Sequence, residues 1–528
     1  MMILGERVTA LSPYVWPLTL VAVVLTWTAF NVDKKKKKKR QNNKAAATAG
    51  SRRSDTDVII VGAGVAGSAL AYALAKDGRR VHVIERDLRE PERLMGEGMQ
   101  PGGRLMLAKL GLHDCLEGIE SQTTIGMVLY KDGKCVTADF PADDKFPHEP
   151  YARSLRNGRF VQRLRHKAAS LPNVNLEEGT VKSLVEEGGV VKGVKYKSKV
   201  TGQETSAFAP LTVVCDGAYS NLRRSIHNSK EELHSHIVGF TTKNCRLEDP
   251  ERFNMVMTKP NVTLIYQLSD NEVRCYVEVP RESVANGEIT TFLKTTLAPQ
   301  LPPKLRDIFS KGLDDAPKIL KTATKSMTTP QYNDYKGVVV LGDAFNMRHP
   351  IIASGMMVAL SDTLILRDLL RSSDNLSDAK KLSQVVKSFY EHRKPMSATV
   401  NTLADAFRQV LRASDDEARE AMRQGFFDYI SRGGICTSGV MAIFGGMNPR
   451  PISLLLHLFA VTLSCIARFL SPFPTPRGIW LSLRLFWLAL GMLGPNLKKE
   501  GVWHMLSPTA AAAYRKRYMT ATATAVAF

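Results

Sequence analysis

The chain has 528 residues, 44% hydrophobic and 23% charged, long enough for two or three domains with substantial cores. Its formal net charge of +21 would suit nucleic acid, but seven of the positive charges form one block, Lys34 to Arg40, and no aromatic-interleaved basic patch follows. That distribution argues against a nucleic-acid ligand. The cysteines (Cys115, Cys135, Cys215, Cys245, Cys275, Cys436 and Cys465) form no C-x-x-C pair and have no histidines at metal spacing. They read as free thiols, and no metal site is expected.

Residues 11–32 are uncharged and mostly apolar, with Trp16 and Trp27 among them. A run of that length can cross the roughly 30 Å hydrocarbon core of a bilayer. No small-residue cleavage site closes it, so an uncleaved membrane anchor is expected. The basic block on its C-terminal side would leave the rest of the chain in the cytosol. Residues 44–56, rich in Ala, Ser and Arg, read as a linker.

Residues 57–85 predict a strand, a glycine turn, a helix and a second strand. Gly62, Gly64 and Gly67 form G-x-G-x-x-G directly after Val58-Ile59-Ile60-Val61. The first glycine allows a tight turn, the second lets backbone approach a pyrophosphate, and the third lets the helix lie close to the strand. The free N–H groups at the helix start then face the phosphates. Glu85 ends the second strand, where an acid suits a ribose hydroxyl. The glycines alone are a weak signal; strand, helix, strand and acid in order make a strong one for dinucleotide binding.

Residues 96–103 hold too many glycines for a helix and predict a loop over the nucleotide site, with a short helix over 104–112. Alternation over 125–140 predicts two strands joined by a hairpin turn at Lys131-Asp132-Gly133-Lys134. A helix is expected over 160–171, then strands at 174–178, 181–186 and 190–196. Leu211-Thr212-Val213-Val214-Cys215 reads as a buried strand ending in Asp216-Gly217, a pair that by itself is more often a turn than a site. Residues 237–280 are strand-rich and suggest a second, substrate-facing domain. Val338-Val339-Val340-Leu341 runs into Gly342-Asp343, which again sets a carboxylate at a strand end. A helix over 355–370 would start at the same crevice.

Beyond about residue 380 the pattern is helical. Residues 452–471 are apolar except for His457 and Arg468, residues 478–497 are apolar around Arg484, and Pro472, Pro474 and Pro476 separate them. Central arginines make spanning costly, so a hairpin lying in one leaflet is expected, with two true spans as the alternative.

The order of G-x-G-x-x-G with Glu85, then Asp216-Gly217, then Gly342-Asp343 resembles the FAD-dependent monooxygenases with a p-hydroxybenzoate-hydroxylase-like fold. The wording of residues 57–97, QPGG at 100–103, APLTVVCDG at 209–217 and LGDAFNMRHP at 341–350 is similar to squalene epoxidases of the plant type, from about residue 57 to about 473. The resemblance implies an α/β architecture. A discontinuous Rossmann-type FAD-binding domain (55–120, 151–230 and 335–380) would carry an inserted β-rich substrate domain (121–150 and 231–334). Residues 1–54 would be anchor and linker, and 381–528 a helical region with a membrane hairpin at 452–497.

The resemblance further implies FAD as cofactor, with contacts at Gly62, Gly64, Val65, Ala66, Gly67, Glu85, Arg86, Arg93, Gly98, Arg165, Val181, Asp216, Asp343 and Met356. The flavin would carry the chemistry, transferring oxygen from O₂ to an alkene and turning squalene into (S)-2,3-oxidosqualene for sterol and triterpenoid synthesis. No side chain is assigned as catalytic; Ile352, Ala353, Ser354 and Gly355 would face the flavin. Implied partners are squalene or a related triterpenoid precursor, an NADPH-cytochrome P450 reductase as electron donor, and membrane lipid of the endoplasmic reticulum. The alternatives are a monooxygenase of this fold acting on another terpenoid, or a non-catalytic FAD-binding paralogue. Three departures stand out. The family reads Leu-Thr-Gly-Gly-Gly-Met where this chain has Ile351-Ile352-Ala353-Ser354-Gly355-Met356, so positive φ or close backbone approach is expected to be harder at Ala353 and Ser354. Gly98 replaces a bulky apolar residue, and Met127 stands at a tyrosine position.

Overall fold

A computed structural model describes residues 56–519, apart from 144, 145, 147, 228, 280–288, 317, 318, 328–334, 374 and 502–506. The expected anchor at 11–32 and its basic block lie outside the described residues.

The first sheet starts from four buried residues, β1 (Val58–Val61), and runs through helix α1 (Val65–Lys76) into β2 (Val81–Glu85). Runs apolar on both faces suit a parallel sheet covered on both sides. β1 pairs in parallel with β2 and with β11 (Leu211–Val214), β2 pairs with β8 (Val174–Glu187), and β11 pairs with β17 (Val338–Val340). β9 (Val190–Ser198) and β10 (Glu204–Phe208) extend it antiparallel, giving the order β10-β9-β8-β2-β1-β11-β17. The register sets Val61 level with Ile84 and Val214, and Val214 level with Val340. Gly62, Glu85, Asp216 and Gly342-Asp343 therefore emerge on one edge.

A second seven-stranded sheet is built from β5 (Gly126–Lys131), β6 (Lys134–Asp139), β12 (Glu231–Lys243), β13 (Arg252–Val256), β14 (Thr263–Ser269), β15 (Glu272–Val279) and β16 (Leu320–Met327), in the order β16-β12-β15-β14-β13-β5-β6. Its pairs are antiparallel except β13 with β5. The expected hairpin joins β5 to β6, with φ of +48° at Asp132 and +77° at Gly133, the pair of positive values a tight hairpin turn needs. A small sheet, β3 (Gly98–Met99), β7 (Ala152–Ser154) and β4 (Gln122–Thr124), lies in the order β3-β7-β4. α4 (Pro303–Asp315) packs Phe309 against Phe240 of β12.

Helices α2 (Pro101–Leu110) and α3 (Asn157–Ala169) belong to the first half of the chain. α5 (Gly355–Arg371) follows β17, then α6 (Ala379–His392), α7 (Lys394–Leu411), α8 (Glu417–Ser431), α9 (Gly434–Phe444), α10 (Pro451–Leu470), α11 (Pro476–Glu500) and α12 (Pro508–Tyr514). Side-chain caps set several starts: Asp378 accepts from the Lys380 and Lys381 amides, Asp416 from Ala418 and Arg419, and Thr475 from Gly478.

Two local expectations are corrected. Pro101, Gly102 and Gly103 are the first turn of α2, not loop. Pro101 suits the first helical position, and the glycines answer to space: a Cβ on Gly102 would sit 2.8 Å from the Gly446 carbonyl oxygen, and one on Gly103 2.5 Å from Met99 Sδ. The two strands expected at 174–178 and 181–186 are one strand, β8, whose first part pairs with β2 and whose later part pairs with β9, with a register shift between Val181 and Ser183.

Candidate flavin site

The glycine turn is held by contacts that only glycines permit. Gly62 has φ +96°, and a Cβ there would lie 2.6 Å from the Cys215 carbonyl oxygen; a Cβ on Gly67 would fall onto the carbonyl oxygen of Gly62. Gly64 differs. It caps α1 with φ −78°, and an added Cβ meets nothing within 4 Å. That open backbone face, at the start of a helix whose first N–H groups (Val65, Ala66) lack helical partners, has the shape and polarity that suit a diphosphate.

Glu85 and Arg165 clamp the same turn. The Glu85 carboxylate accepts from the amide of Ala63 at 2.6 Å and from Asp87 at 3.1 Å. Arg165, buried on α3, donates through Nε to the Ala63 carbonyl at 2.8 Å and through Nη1 to that of Arg89 at 3.1 Å, with Nη2 3.7 Å from Glu85. Arg86 follows Glu85 and is exposed. Val181 sits three residues past Glu178, the β8 residue paired with Glu85, and so beyond the carboxyl end of β2.

On the far wall, Asp216 follows β11 beside the turn: its Cα would be 3.0 Å from a Cβ on Gly62. Burial raises its carboxyl above the usual range, the Ser220 hydroxyl counters this, and Oδ1 has no protein partner. Gly342, with φ +62°, brings its strand end to Ala66, 3.5 Å from an added Cβ. The next residue, Asp343, keeps one side open to solvent while protein packs around the rest of it. The crowding raises its carboxyl, while Arg348, Arg93 and Arg223 pull it back down. Arg93, itself exposed, lies near enough to act on both the Asp343 carboxyl and the Arg165 guanidinium.

The segment before α5 follows Asp343 in the chain and packs against residues 98–100. Ile352 is fully buried, and its carbonyl accepts from Gln100 Nε2 at 2.9 Å. Ala353 has φ +48° and ψ +36°, the left-handed conformation expected to be awkward there. Ser354 does not share it: its φ is −99°, so the expected strain at this position is absent, although its buried Oγ has no protein partner. Gly355 opens α5, and Met356 Sδ lies 3.9 Å from Asn157 Nδ2. Gly98 abuts Ala353: a Cβ on Gly98 would be 2.8 Å from the Ala353 methyl. Met127, fully buried in β5, is registered opposite Ala138 and Phe253.

Sequence reasoning missed two polar networks around this segment. Glu97, 4% exposed, binds Arg274 of β15 twice (Oε1 to Nη2 at 2.8 Å, Oε2 to Nε at 3.0 Å) and accepts from the hydroxyls of Tyr266 and Tyr276 at 2.8 and 2.9 Å. It thereby fixes the segment leading into β3 to the second sheet. Arg348 reaches Asn346, Asn401 and the Ser354 carbonyl. A charged residue inside an apolar strand signals that a partner exists without naming it.

A small apolar cavity of about 30 Å³ lies among α7, α8, α9 and α10, lined by Leu403, Phe407, Phe426, Val440, Leu454 and Val461. His457 also faces it, its Nδ1 2.9 Å from the Tyr429 hydroxyl. Just past α9 the backbone returns to the segment above: the Gly445 carbonyl accepts from the Gly102 amide at 2.8 Å, and Gly446 packs on Met357 of α5.

The arrangement fits a flavin dinucleotide: an open backbone cradle at a helix start, an acid at the next strand end, and an unpaired buried carboxylate oxygen on the opposite wall. Among the described residues no cluster of His, Cys, Asp and Glu could hold a metal ion.

Comparison with known proteins agrees. Residues 208–480 match the squalene epoxidase family, and residues 57–93 match the FAD dependent oxidoreductase family. Squalene epoxidase 5 of Arabidopsis thaliana is 64% identical over 96% of this chain and 98% of its own length, and squalene monooxygenase 1,1 of Brassica napus is 62% identical over 97% and 99%. Among solved structures, the flavin-dependent brominase Bmp2 aligns with a TM-score of 0.61 at 17% identity, covering 77% of this chain and 98% of its own. The p-nitrophenol 4-monooxygenase PnpA of Pseudomonas putida DLL-E4 aligns with 0.60 at 17%, covering 74% and 98%. At that identity the likeness concerns the fold, which is that of the FAD-dependent monooxygenases. On the strength of its near-full-length relatives, the chain belongs to the squalene epoxidase family.

Proposed function

We propose that the protein is an FAD-dependent monooxygenase that epoxidises squalene to (S)-2,3-oxidosqualene. The observation that carries this reading is the convergence, on one sheet edge, of the open Gly64 cradle and the Asp216 and Asp343 carboxylates, in a chain more than 60% identical to named squalene epoxidases. Val65 and Ala66 at the start of α1 hold the diphosphate, with Gly62 and Gly67 shaping the turn. Glu85, Arg86, Arg93, Arg165 and Val181 serve the adenosine end. Asp343 would hold the polyol chain, Asp216 would support the pyrophosphate region, and Gly98, Ile352, Ala353, Ser354, Gly355 and Met356 would border the ring. Bound FAD, once reduced, supplies the oxygen-transfer chemistry with O₂. The α5 N-terminus, opening at Gly355, favours negative charge on the ring.

Squalene offers nothing to a hydrogen bond, so the chain's work on it is shape and exclusion of water. Apolar side chains of α7 to α10, Phe407, Phe426 and Leu454 among them, supply a wall for it, and Met127 contributes packing rather than a hydroxyl. The two apolar helices α10 and α11 are long enough to cross a membrane, yet only 22% and 28% of their most apolar windows are buried. Leu456, Phe459, Trp480, Leu483 and Trp487 are exposed along them. That stripe lies in the cytosolic leaflet of the endoplasmic reticulum and brings the protein to a lipid-dissolved substrate. Electrons come from an NADPH-cytochrome P450 reductase.

The test is expression in microsomes with NADPH, the reductase and squalene. The 2,3-epoxide is expected; bound FAD without product would instead favour a binding paralogue, and product from another terpenoid alone would move the substrate assignment.

A further inference from the structure

A chain of direct contacts joins the last residue of the apolar helix α11 to the segment that borders the flavin site. Glu500 ends α11 and is 5% exposed, although the body of that helix is largely open. Its Oε2 pairs with Lys394 Nζ at 3.0 Å, and Lys394 also donates to the Glu500 carbonyl at 3.1 Å. Oε1 accepts from Asn401 Nδ2 at 2.8 Å. Asn401 uses its other end as acceptor for Arg348 Nε at 2.7 Å, and its Nδ2 also reaches Asn346 Oδ1 at 3.1 Å. Arg348 completes the path with Nη2 on Asn346 Oδ1 at 2.7 Å and Nη1 on the Ser354 carbonyl at 3.4 Å.

The side chains of this path have fixed roles. An amide such as that of Asn401 presents one acceptor and two donors, and here the acceptor goes to the guanidinium while the donor side goes to the carboxylate. A lysine in place of Arg348 could not serve Asn346, Asn401 and Ser354 together, because only the guanidinium spreads its donors in a plane. A second set of contacts braces the same segment. Arg393, the residue before Lys394, makes a buried two-point pair with Asp362 of α5 at 2.8 and 3.0 Å, and its guanidinium lies over the ring of Phe345 at 4.8 Å. The start of α7 is thus a bracket between the end of α11, the body of α5 and residues 343–354.

We infer that Glu500 is a positioning residue for the flavin-bordering segment, acting through Asn401 and Arg348, so that the seating of the apolar helix α11 and the shape of residues 348–356 are set together. This rests on the flavin reading above but is read by a different observable. Without the Glu500 carboxylate, Lys394 keeps only the backbone carbonyl and Asn401 only Asn346 as acceptor, so Asn401 is free to turn, Arg348 is released toward Asp343, and the Ser354 carbonyl loses its anchor.

The experiment is hydrogen–deuterium exchange on full-length protein in detergent micelles, comparing wild type with E500A, E500Q and N401A, with FAD binding followed in parallel by its visible absorption. E500A and N401A are expected to exchange at least tenfold faster over residues 348–356 while β1 (58–61) is unchanged, and to bind FAD at least fivefold more weakly. E500Q keeps the acceptor for Asn401 and is expected to stay within twofold of wild type. Exchange over 348–356 that is the same in N401A and E500A as in wild type would overturn the inference, as would loosening spread evenly to β1. Should E500A fail to fold, N401A alone carries the same comparison. Failure of every protein, wild type included, to take up FAD would undo the flavin reading and leave the exchange result to judge the coupling.

Discussion

The contact between Gly98 and Ala353 gives a prediction whose size can be worked from the structure. Gly98 does not have positive φ, so alanine fits its backbone; what forbids a side chain is space, because a Cβ there would lie 2.8 Å from the Ala353 methyl. Carbon atoms prefer roughly 3.5–4.0 Å, so G98A forces a shift of about 1 Å in a packed region, which costs about 1–3 kcal/mol. Ala353 is itself held at φ +48°. A353G releases about 1–2 kcal/mol of left-handed strain, offset by about 0.4–1 kcal/mol from a looser unfolded chain, and should be neutral to mildly stabilising. In the double variant the two methyls have exchanged places, so most of the G98A penalty disappears. The expected coupling is about 1–3 kcal/mol, well above the few tenths seen for independent sites. Urea unfolding of the four proteins at saturating FAD, with flavin fluorescence as a second probe, measures it. Additivity within about 0.5 kcal/mol, or a G98A protein as stable as wild type, would refute the reasoning.

Gly64→Ala tests the cradle: with nothing within 4 Å of the new methyl and φ already at −78°, apoprotein stability should change by less than about 1 kcal/mol while FAD affinity falls at least tenfold, by absorbance titration. An FAD affinity equal to wild type would remove Gly64 from the diphosphate site. His227 is buried with neither ring nitrogen paired, and burial pulls its pKa from 6.5 down to about 4. The unfolded chain therefore takes up the proton first, so this stability is intact above about pH 6.5 and lost as pH falls toward 4, at up to about 1.4 kcal/mol per pH unit. H227Q should flatten the melting temperature over that window, and an unchanged slope would assign the acid sensitivity elsewhere. Trp480 and Trp487 are 56% and 69% exposed on α11. Removing both as W480S/W487S should weaken co-sedimentation with phosphatidylcholine vesicles at least tenfold without moving the melting temperature, each buried aromatic being worth roughly 1.5–3 kcal/mol.

Much of the nucleotide half was legible because its signals are local. Glycines at 62, 64 and 67 after a β-branched run, and an acid eighteen residues past the last of them, constrain backbone within one strand–helix–strand unit, and the structure has that unit. The hairpin at Asp132-Gly133 is local in the same sense. The misreadings arose where a residue's type is explained by something distant. Gly102 and Gly103 look like helix breakers until the carbonyl of Gly446 and the sulfur of Met99 are seen pressing on them. Positive φ reads as hard for both Ala353 and Ser354, yet Ala353 adopts it where the short turn Pro350–Ile352 ends, and Ser354 avoids it by already adopting the conformation that leads into α5. Glu97 with Arg274, and Asn401 with Glu500, pair across 177 and 99 positions, and no periodicity within either segment could have matched them.

The arginines of the apolar helices show how a sequence cost changes meaning once neighbours are known. Counted along the chain, Arg468 and Arg484 sit inside segments otherwise fit to cross a bilayer, where each would be expensive. In the fold, both turn to the same partner helix. Arg468 meets Asp428 of α8 at 2.7 Å, Arg484 meets Asp416 at the cap of α8 at 2.5 Å, and Arg477 meets Glu417 at 2.8 Å. These pairs are at least partly exposed, so each is worth little in stability. Their effect is orientational. With the cations committed to α8, the faces of α10 and α11 that carry Leu456, Phe459, Leu483 and Trp487 are left outward and free of charge. A helix apolar on one side and pinned by ions on the other is suited to lie along a lipid surface rather than through it. The same pinning keeps the C-terminal end of α11 within reach of Lys394 and Asn401, so the helices proposed to meet the membrane stay bonded, through Asn401 and Arg348, to the segment proposed to border the flavin.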